Sequence, residues 1–524
     1  MENKEYMNIP QEKFNFVNRE GQIHDKELVT KPVGYFKDAF NRFRRNKGSI
    51  FAAFIIMFLV LFAIIAPIIS PYTVSYNDAD YRYKLPRNEI CYSLNIPFWD
   101  GCEKVAVPKE TFLLDYAIGI ETGRTVVKNQ DYEITEKMLP NKKTVPVYAY
   151  RKDTYTATGL VFKNLSKKEY EEIQKYQDET GIQVIYPITE PSLRPTATQD
   201  NANANYWYTT IEEKTKTVTT NYTVDADGTI HYQDIYRKYT GNDGYTSKVR
   251  FEGEGNYKYD YAEITDGGFK VRISYYDYYG YYHSYVLKDG ITKPSFLFGS
   301  DNQGKDILTC LASGARFSFI LAIIVATVNL IVGAIYGAIE GYYGGKIDLI
   351  MERFVEILSA VPFMIVITLL KYHMKGSSHI IVLFISFFLT GWIGMAGRTR
   401  MQFYRFKNQE YVLASRTLGA KDARIMFKHI FPNALGTLIT SCVLVIPGMI
   451  FSETSLSYLG IINLSTGKLT SVGTLLATGQ QYLVTHPYMI VTPSLFISLL
   501  MLSFNLFGNG LRDAFNPSLR GSED

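Results

Sequence analysis

From Gly48 to Ser70 the chain carries no charged residue. At the helical rise of 1.5 Å per residue, a run of this length matches a hydrocarbon core of about 30 Å. Lys37, Arg42, Arg44, Arg45 and Lys47 crowd its near end, which places residues 1–47 in the cytoplasm. Pro67 and Pro71 mark its far end. About 47 polar residues come before the run, too many for the charged region of a cleaved signal peptide, so the first helix is expected to stay.

Further apolar runs fall at Phe317–Ile339, Phe354–Leu370, Ile380–Ala396, Ala434 to about Ser455, and Met489–Phe507. Arg398, Arg400, Arg405 and Lys407 follow the fourth run, Arg512 and Arg520 follow the last, and Lys371–His379 is a short loop of opposite parity. Every basic loop then falls on one side, with both termini cytoplasmic. The expectation is an α-helical integral membrane protein with six transmembrane helices. It divides into a cytoplasmic segment (1–47), a first helix (48–71), an extracellular insertion (72–294) and a membrane core (295–524) containing a cytoplasmic loop (397–433).

The mean hydropathy of −0.06 is low for such a protein, and residues 72–294 account for it, being rich in Tyr, Thr, Lys and Asp. Their latter half reads as strands and turns, with turns centred on Asp227-Gly228, Asp266-Gly267 and Tyr279-Gly280. One helix is expected between a capping box at Ser166 and Glu169 and a stop at Gly181. Pro191 to Ala204 reads as a linker. The tyrosines either pack the sheet of a mostly β domain or bind carbohydrate or peptide. Cys91 and Cys102 would close a small loop, as a disulfide or as two free thiols; Cys310 and Cys442 lie in or near apolar runs, and no metal-type spacing appears. A net charge of +4 does not suggest a nucleic-acid partner.

Glu410 to Asn433 is a basic, amphipathic stretch wedged between two apolar runs. Ala414, Leu418, Ile425 and Met426 recur at helical spacing, Gly419 breaks the run, and Pro432 closes it. The pattern predicts a short helix, a glycine bend and a second helix entering the bilayer, with one face free for a partner.

The stretch YVLASRTLGA…KHIFPN also resembles the "EAA" coupling loop of ABC importer permeases, in the form found in the oligopeptide/dipeptide (and nickel) permease family. Ala414, Gly419 and Pro432 occupy its Ala, Gly and Pro slots, while Leu413 stands for Glu and His429 for a branched aliphatic. Four other stretches resemble the same family. RFRRNKGSI…APIISPY is similar to the start of its second-permease type. FGSDNQGKDILTCLASGAR follows its GTDxxGRDxxxxxxxGAR pattern through Gly299, Asp301, Gly304, Asp306, Gly314, Ala315 and Arg316, with Ser300 and Lys305 departing. GYYGGKIDLIMERFVEILSAVP keeps Asp348 and Arg353 and places Glu356 in an Asp slot. SFNLFGNGLRDAFNPSLR resembles its terminal motif, with Asn509 and Asn516 replacing Asp. The resemblance spans residues 42–75 and about 295–520 and leaves 76–294 as an insertion.

The resemblance implies a type I ABC importer permease whose Val412, Ala414, Ser415, Arg416, Gly419, Ala420, Lys421 and Asp422 contact an ATPase. Implied partners are a second permease subunit, two ATPase subunits that bind ATP and Mg, an extracellular substrate-binding lipoprotein, a peptide substrate and membrane lipid. No catalytic constellation stands out, and no phosphate-binding loop with a following Lys-Ser/Thr occurs, so this chain is expected to be no enzyme and to bind no nucleotide, cofactor or metal itself. GYYGG reads as a tight turn at a helix end. Glu453 follows Pro447 and Gly448 inside an apolar run; it is either a functional intramembrane carboxylate beside a kinked, gating helix or a solvated group at the outer interface. From another class, the chain could be a membrane-anchored receptor or adhesin working through residues 72–294, and within the transporter class nickel or glutathione stays open as substrate.

Overall fold

The computed structural model describes residues 35–515 except 139, 141–143, 187–221, 225–229, 233–236, 241–245, 250–261, 266–267 and 465–468. The Pro191–Ala204 linker, the turn residues Asp227-Gly228 and Asp266-Gly267, and Asn516 and Arg520 therefore lie outside the described residues.

Helix α1 (Tyr35–Arg45) leads into α2 (Lys47–Ile69), and the Asn46 side chain between them accepts from the Ser49 N–H as an N-cap. After α2 the chain folds into an α+β unit. Helix α3 (Glu89–Ser93) precedes β1 (Cys102–Val107), α4 (Lys109–Thr122), β2 (Val127–Met138) and β3 (Thr144–Asp153), and the strands form an antiparallel sheet of order β1-β3-β2. Next come β4 (Leu160–Ser166) and α5 (Lys167–Thr180), with the Ser166–Glu169 capping box and the left-handed Gly181 where the sequence places them. Strands β5 (Ile185–Tyr186), β6 (Tyr222–Val224), β7 (Ile230–Tyr232), β8 (Arg237–Thr240), β9 (Thr246–Val249), β10 (Ala262–Thr265) and β11 (Gly268–Ser274) follow. β6 pairs with β7, β8 with β9 and β10 with β11, so the hairpins expected about residues 227–228 and 266–267 are present. β11 is central: β4 lies on one side of it, and β10 and β5 pair elsewhere along it.

The expected turn at Tyr279-Gly280 is not there. Tyr275–Tyr281 is helix α6, which runs on as a π-helical turn through Tyr282–Leu287. Every α6 residue is buried, so tertiary burial overrides the strand preference of tyrosine. Gly280 is needed for space: a Cβ there would sit 2.8 Å from the Thr292 carbonyl oxygen. With α4, α5 and α6 packed beside the sheets, the described part of this unit is α+β rather than mostly β.

The tyrosines pack one another. Tyr72, Tyr81, Tyr155, Tyr170, Tyr275 and Tyr279 share a core with Phe296 and Ile273. Several of their hydroxyls find buried partners: Tyr275 donates to Asp78 at 2.6 Å, Tyr279 to Tyr72 at 3.0 Å, and Tyr155 to the Leu85 carbonyl at 2.7 Å, whereas the Tyr81 hydroxyl is buried without one. Because Tyr72 follows α2 and Phe296 precedes the next span, this core clasps both ends of the unit to the membrane half. The FGSDNQGKD stretch completes the junction: Gly304 is left-handed and packs so closely that a Cβ would lie 1.8 Å from the Asp78 carbonyl oxygen. Cys91 and Cys102 are not bonded. Cys91 sits on α3, whereas Cys102 opens β1 and points its thiol at the Asp100 carbonyl, and burial beside Asp153 and Asp100 pushes that thiol up to about 12.

The membrane half contains α7 (Ile307–Tyr343), α8 (Gly345–Ser359), α9 (Phe363–His373), α10 (His379–Gly391), α11 (Ile393–Phe406), α12 (Glu410–Thr417), α13 (Asp422–Arg424), α14 (Phe431–Tyr458), α15 (Val472–Gln481) and α16 (Tyr488–Phe515). A π-helical turn, Ile425–Ile430, joins α13 to α14. Among the described residues, five helices are long and apolar enough to cross a membrane, counting α10 with α11 and α13 through α14 as one each, and a sixth span results if α8 and α9 count together. That pair contains the Phe354–Leu370 run expected to span, as a broken helix. It bends by 72° at Ser359–Pro362, since Pro362 supplies no N–H and restricts Val361 away from helical geometry. Helix α15, which the sequence reading did not anticipate, wedges among α7, α14 and α16 through Gly314, Gly473 and Gly479.

Buried His283 bonds through Nδ1 to Asp289 at 2.6 Å and through Nε2 to the Tyr76 hydroxyl at 2.9 Å. Burial pushes its pKa below 6.5, against the pull of Asp289. The unfolded chain therefore takes up the proton first, so this contribution is complete above pH 6.5 and shrinks as the pH falls below it. The thermal midpoint in detergent should fall on acidification from about pH 7.5 to about pH 5.5, and His283→Gln should fall less over the same range. Identical slopes for the two proteins would refute this.

Candidate functional site: the coupling surface and its support

Helix α12 carries Val412, Ala414, Ser415 and Arg416, and the chain then turns at Gly419. Gly419 has a φ of +81°, while a Cβ there would meet nothing within 4 Å, so glycine is required by backbone handedness rather than by space. Ala420 and Lys421 follow, and Asp422 starts the second helix. The expected helix, bend and helix are all present.

The buried face is not the one that the spacing suggested. Val412, Ile425, Met426 and Ile430 are buried against Ala338, Tyr342 and Phe403. Ala414 and Leu418 point away; Leu418 is 88% exposed, and Leu413, Tyr411 and Phe427 are exposed as well. A monomer gains nothing by presenting an apolar side chain so fully to solvent. Exposed apolar side chains interspersed in the chain with Arg416, Lys421 and Arg424 have the composition of a protein-binding surface.

Polar contacts fix this surface to the end of α7. The Tyr342 hydroxyl donates to Asp422 Oδ1 at 2.6 Å, and Arg416 donates to the same hydroxyl at 3.4 Å. Lys407 Nζ donates to the Gly341 carbonyl at 3.0 Å, and Gly344, with a φ of +65°, ends α7 in the tight turn expected of GYYGG. One level up, Arg400 of α11 binds Asp348 in bidentate fashion at 2.7 and 3.1 Å, reaches Glu352 at 2.5 Å, and lies 3.4 Å from buried Glu340. The three carboxylates are close enough together to hold a metal, but Arg400 stands against all three. The guanidinium is their counter-charge, and it joins α7, α8 and α11.

Sequence reasoning missed what brings α7 and α11 so close. Gly333, Gly337 and Gly341 form a stripe at four-residue spacing, the pattern that lets helix backbones touch in lipid. A Cβ at Gly337 would lie 2.1 Å from the Ala396 carbonyl oxygen; one at Gly341 would lie 2.8 Å from that of Arg400, and one at Gly333 2.7 Å from that of Trp392. The signal GAIYGAIEG was present in the sequence.

The other candidate residues lie apart from this surface. Helix α14 runs through Pro447 without ending; Pro447 is buried and Gly448 exposed. Glu453 is buried, not solvated: Ser318 of α7 donates to it at 2.7 Å and Ser457 of its own helix at 3.1 Å.

Two family models match the chain. Residues 34–86 match the N-terminal transmembrane domain of oligopeptide transport permease C, and residues 329–521 match the inner membrane component of binding-protein-dependent transport systems. The oligopeptide transport permease OppC of Bacillus subtilis is 43% identical over 224 residues, which cover 43% of this chain and 72% of that one. The chain belongs to the OppC/DppC-like family of ABC importer permeases. The dipeptide permease DppC of Lactococcus lactis is 38% identical over 234 residues, 44% of this chain and 66% of its own length. OppC of Escherichia coli is 35% identical over 223 residues, 43% of this chain and 72% of its own. The permease is thus a multi-pass transporter subunit, and these relatives rule out the receptor or adhesin reading for the membrane half.

Three glycines of the permease separate space from handedness. Gly337→Ala should lower stability by about 1–3 kcal/mol, because its methyl group has nowhere to go. Gly419→Ala should cost about 1 kcal/mol through its backbone alone, and Gly448→Ala, with nothing near its added Cβ, should be the mildest. Thermal unfolding in detergent ranks the three, and a Gly337→Ala variant as stable as Gly448→Ala would contradict the close α7–α11 contact.

Proposed function

We propose that the permease imports oligopeptides, and that α12 with the Gly419 bend is where partner ATPases act on it. The exposed apolar side chains about Leu418, held from behind by Val412, Ile425 and Tyr342, carry this reading: a surface that must transmit force needs a free face and a fixed back. Ala414, Ser415, Arg416, Ala420, Lys421 and Asp422 form or border that face. The relatives named for oligopeptide and dipeptide transport support a peptide substrate. The working assembly is this chain, a second permease, two ATPases that bind ATP and Mg, and an extracellular lipoprotein that delivers the peptide. Glu453, beside Pro447 and Gly448, is assigned to the translocation path or its gate, because a carboxylate inside a span is costly unless it is used.

In this reading residues 1–47 and the 397–433 loop are cytoplasmic, since the arginines and lysines cluster there. Residues 72–294 are extracellular and orient the lipoprotein over the permease. Leu418→Asp should leave the fold intact, because the side chain touches little of this chain, yet reduce both peptide uptake and co-purification of the ATPases at least tenfold, as loss of a buried apolar anchor does at an interface. Uptake at the unmodified rate would remove the coupling assignment. For the topology, a membrane-impermeant thiol reagent applied to intact cells should label Lys137→Cys and spare Lys421→Cys. The reverse pattern would invert the arrangement.

A further inference from the structure

The start of β2 leaves its ladder. Val127 faces Lys152 of β3 and Tyr132 faces Tyr150, so residues 128–131 bulge opposite Arg151 alone. A bulge bends its strand and re-aims the side chains on it. Here it sets Lys128 against α3, where the ammonium donates to the Tyr92 carbonyl at 3.0 Å and lies 3.4 Å from the centre of the Tyr92 ring. Beside it opens a cavity of about 450 Å³, lined by Tyr92, Ser93, Asn95, Thr125, Lys128 and Asn129. Asn95 and Asn129 hold left-handed backbone, with φ of +55° and +58°, a conformation that asparagine tolerates better than most side chains.

The charge of this cavity is unbalanced. A second cation flanks the same ring, the Arg87 guanidinium 3.9 Å from its centre. Arg87 has its counter-charges, Glu89 at 3.0 Å and Asp153 at 3.2 Å. Lys128 is only 7% exposed, yet among the described residues no carboxylate lies within 4.0 Å of its ammonium. A ring face and a carbonyl attract an ammonium without neutralising it, and a lysine so deeply placed is ordinarily paired. One of its three N–H groups is used on the Tyr92 carbonyl. Ser93, Asn95, Thr125 and Asn129 are exposed and carry neutral hydroxyls and amides. The cavity is therefore a cationic floor beneath a rim of neutral hydrogen-bonding groups.

We propose that this cavity binds a small organic ligand through a single carboxylate, which pairs with the Lys128 ammonium and takes further hydrogen bonds from the neutral rim. One unpaired positive charge suits a monoanion. A phosphate dianion would bring a second charge that nothing in the cavity balances. The volume lies in the range of small-molecule sites, about 300–1,000 Å³, so there is room for a body beyond the charged group. The C-terminus of a short peptide and a sugar acid both present this chemistry. The site belongs to the α+β unit and lies apart from the coupling surface, so it stands whether or not the permease imports peptides.

The test is saturation-transfer NMR on the full-length permease in lipid nanodiscs, with two pairs of probes: N-acetyl-alanyl-alanine and its C-terminal amide, and glucuronate and glucuronamide. At least one acid should bind, and its amide should bind at least tenfold more weakly, as loss of a charge-assisted hydrogen bond requires. Lys128→Met keeps the length of the stem and should weaken the acid by the same factor. Asn129→Gly keeps the left-handed backbone, removes one exposed amide, and should weaken the acid about threefold, as loss of a neutral hydrogen bond does. That second variant keeps the test decisive should Lys128→Met fail to fold. Binding of the peptide acid alone assigns peptide termini, of glucuronate alone sugar acids, and of both the carboxylate itself. Binding of neither acid, equal binding of an acid and its amide, displacement of the acid by an equal concentration of inorganic phosphate, or undiminished binding in either variant would overturn the proposal.

Discussion

The approach of α7 to α11 through Gly333, Gly337 and Gly341 is the contact on which the rest of the membrane half depends. Lipid chains are as apolar as leucine, so helices in a bilayer gain little by hiding apolar surface from one another. They gain by touching closely, and the glycine stripe brings the α7 backbone against the α11 carbonyls. Arg400 then comes within reach of Glu340 and Asp348, Lys407 of the Gly341 carbonyl, and Phe403 of Tyr342. Each of these contacts lies near the same end of α7, and together they form the bed for α12.

Much of this was readable in the sequence, and the failures have definite causes. The α2 span was legible because an uncharged run of that length has few other uses. The α5 cap at Ser166 and Glu169 was legible because capping is local chemistry. The buried face of the coupling stretch was misjudged: Leu418 shares a spacing with Ile425 and Met426, but the left-handed Gly419 redirects the chain between them, so periodicity cannot be carried across it. The break at Pro362 inside the Phe354–Leu370 run went unread for a related reason, since hydropathy averages over a proline that geometry does not ignore. The α6 helix was hidden because its seven residues are tyrosine-rich and locally favour strand; only burial on every side, which no window reports, makes them helical. The glycine stripe was visible and went unread among apolar neighbours.

The tyrosine core answers a problem of placement. The α+β unit leaves the membrane half after Ser70 and rejoins it before Ile307, and two covalent connections alone would let it swing. Tyr72 and Phe296, one from each connection, are buried in the same cluster as Tyr81, Tyr155 and Tyr279. Tyrosine suits this position because it buries a large ring and still satisfies a hydroxyl near polar backbone. The Gly304 contact with Asp78 and the Tyr488 bond to the Ser300 carbonyl at 3.0 Å extend the same clasp to α16. The unit is therefore seated on the helices rather than tethered to them.

The same packing limits how the permease can move. If α7 slid or rotated on α11 by one residue, Tyr336 or Ala338 would face the Ala396 carbonyl where even a methyl group at Gly337 finds only 2.1 Å. The contact is thus locked in register, and α7, α11 and the α12 surface must travel together, since packed cores switch between arrangements and do not deform smoothly. Relative motion is left to places with breaks in the backbone or looser contacts. The 72° bend between α8 and α9 is one, and the exposed left-handed turn at Gly419 is another. Glu453 joins α14 to this rigid group through Ser318 of α7, by hydroxyl hydrogen bonds that can be exchanged without a steric barrier. A push on α12 would therefore reach α14 by two routes, directly through the Ile425–Ile430 turn that packs with Val412 and continues into α14, and sideways through α7.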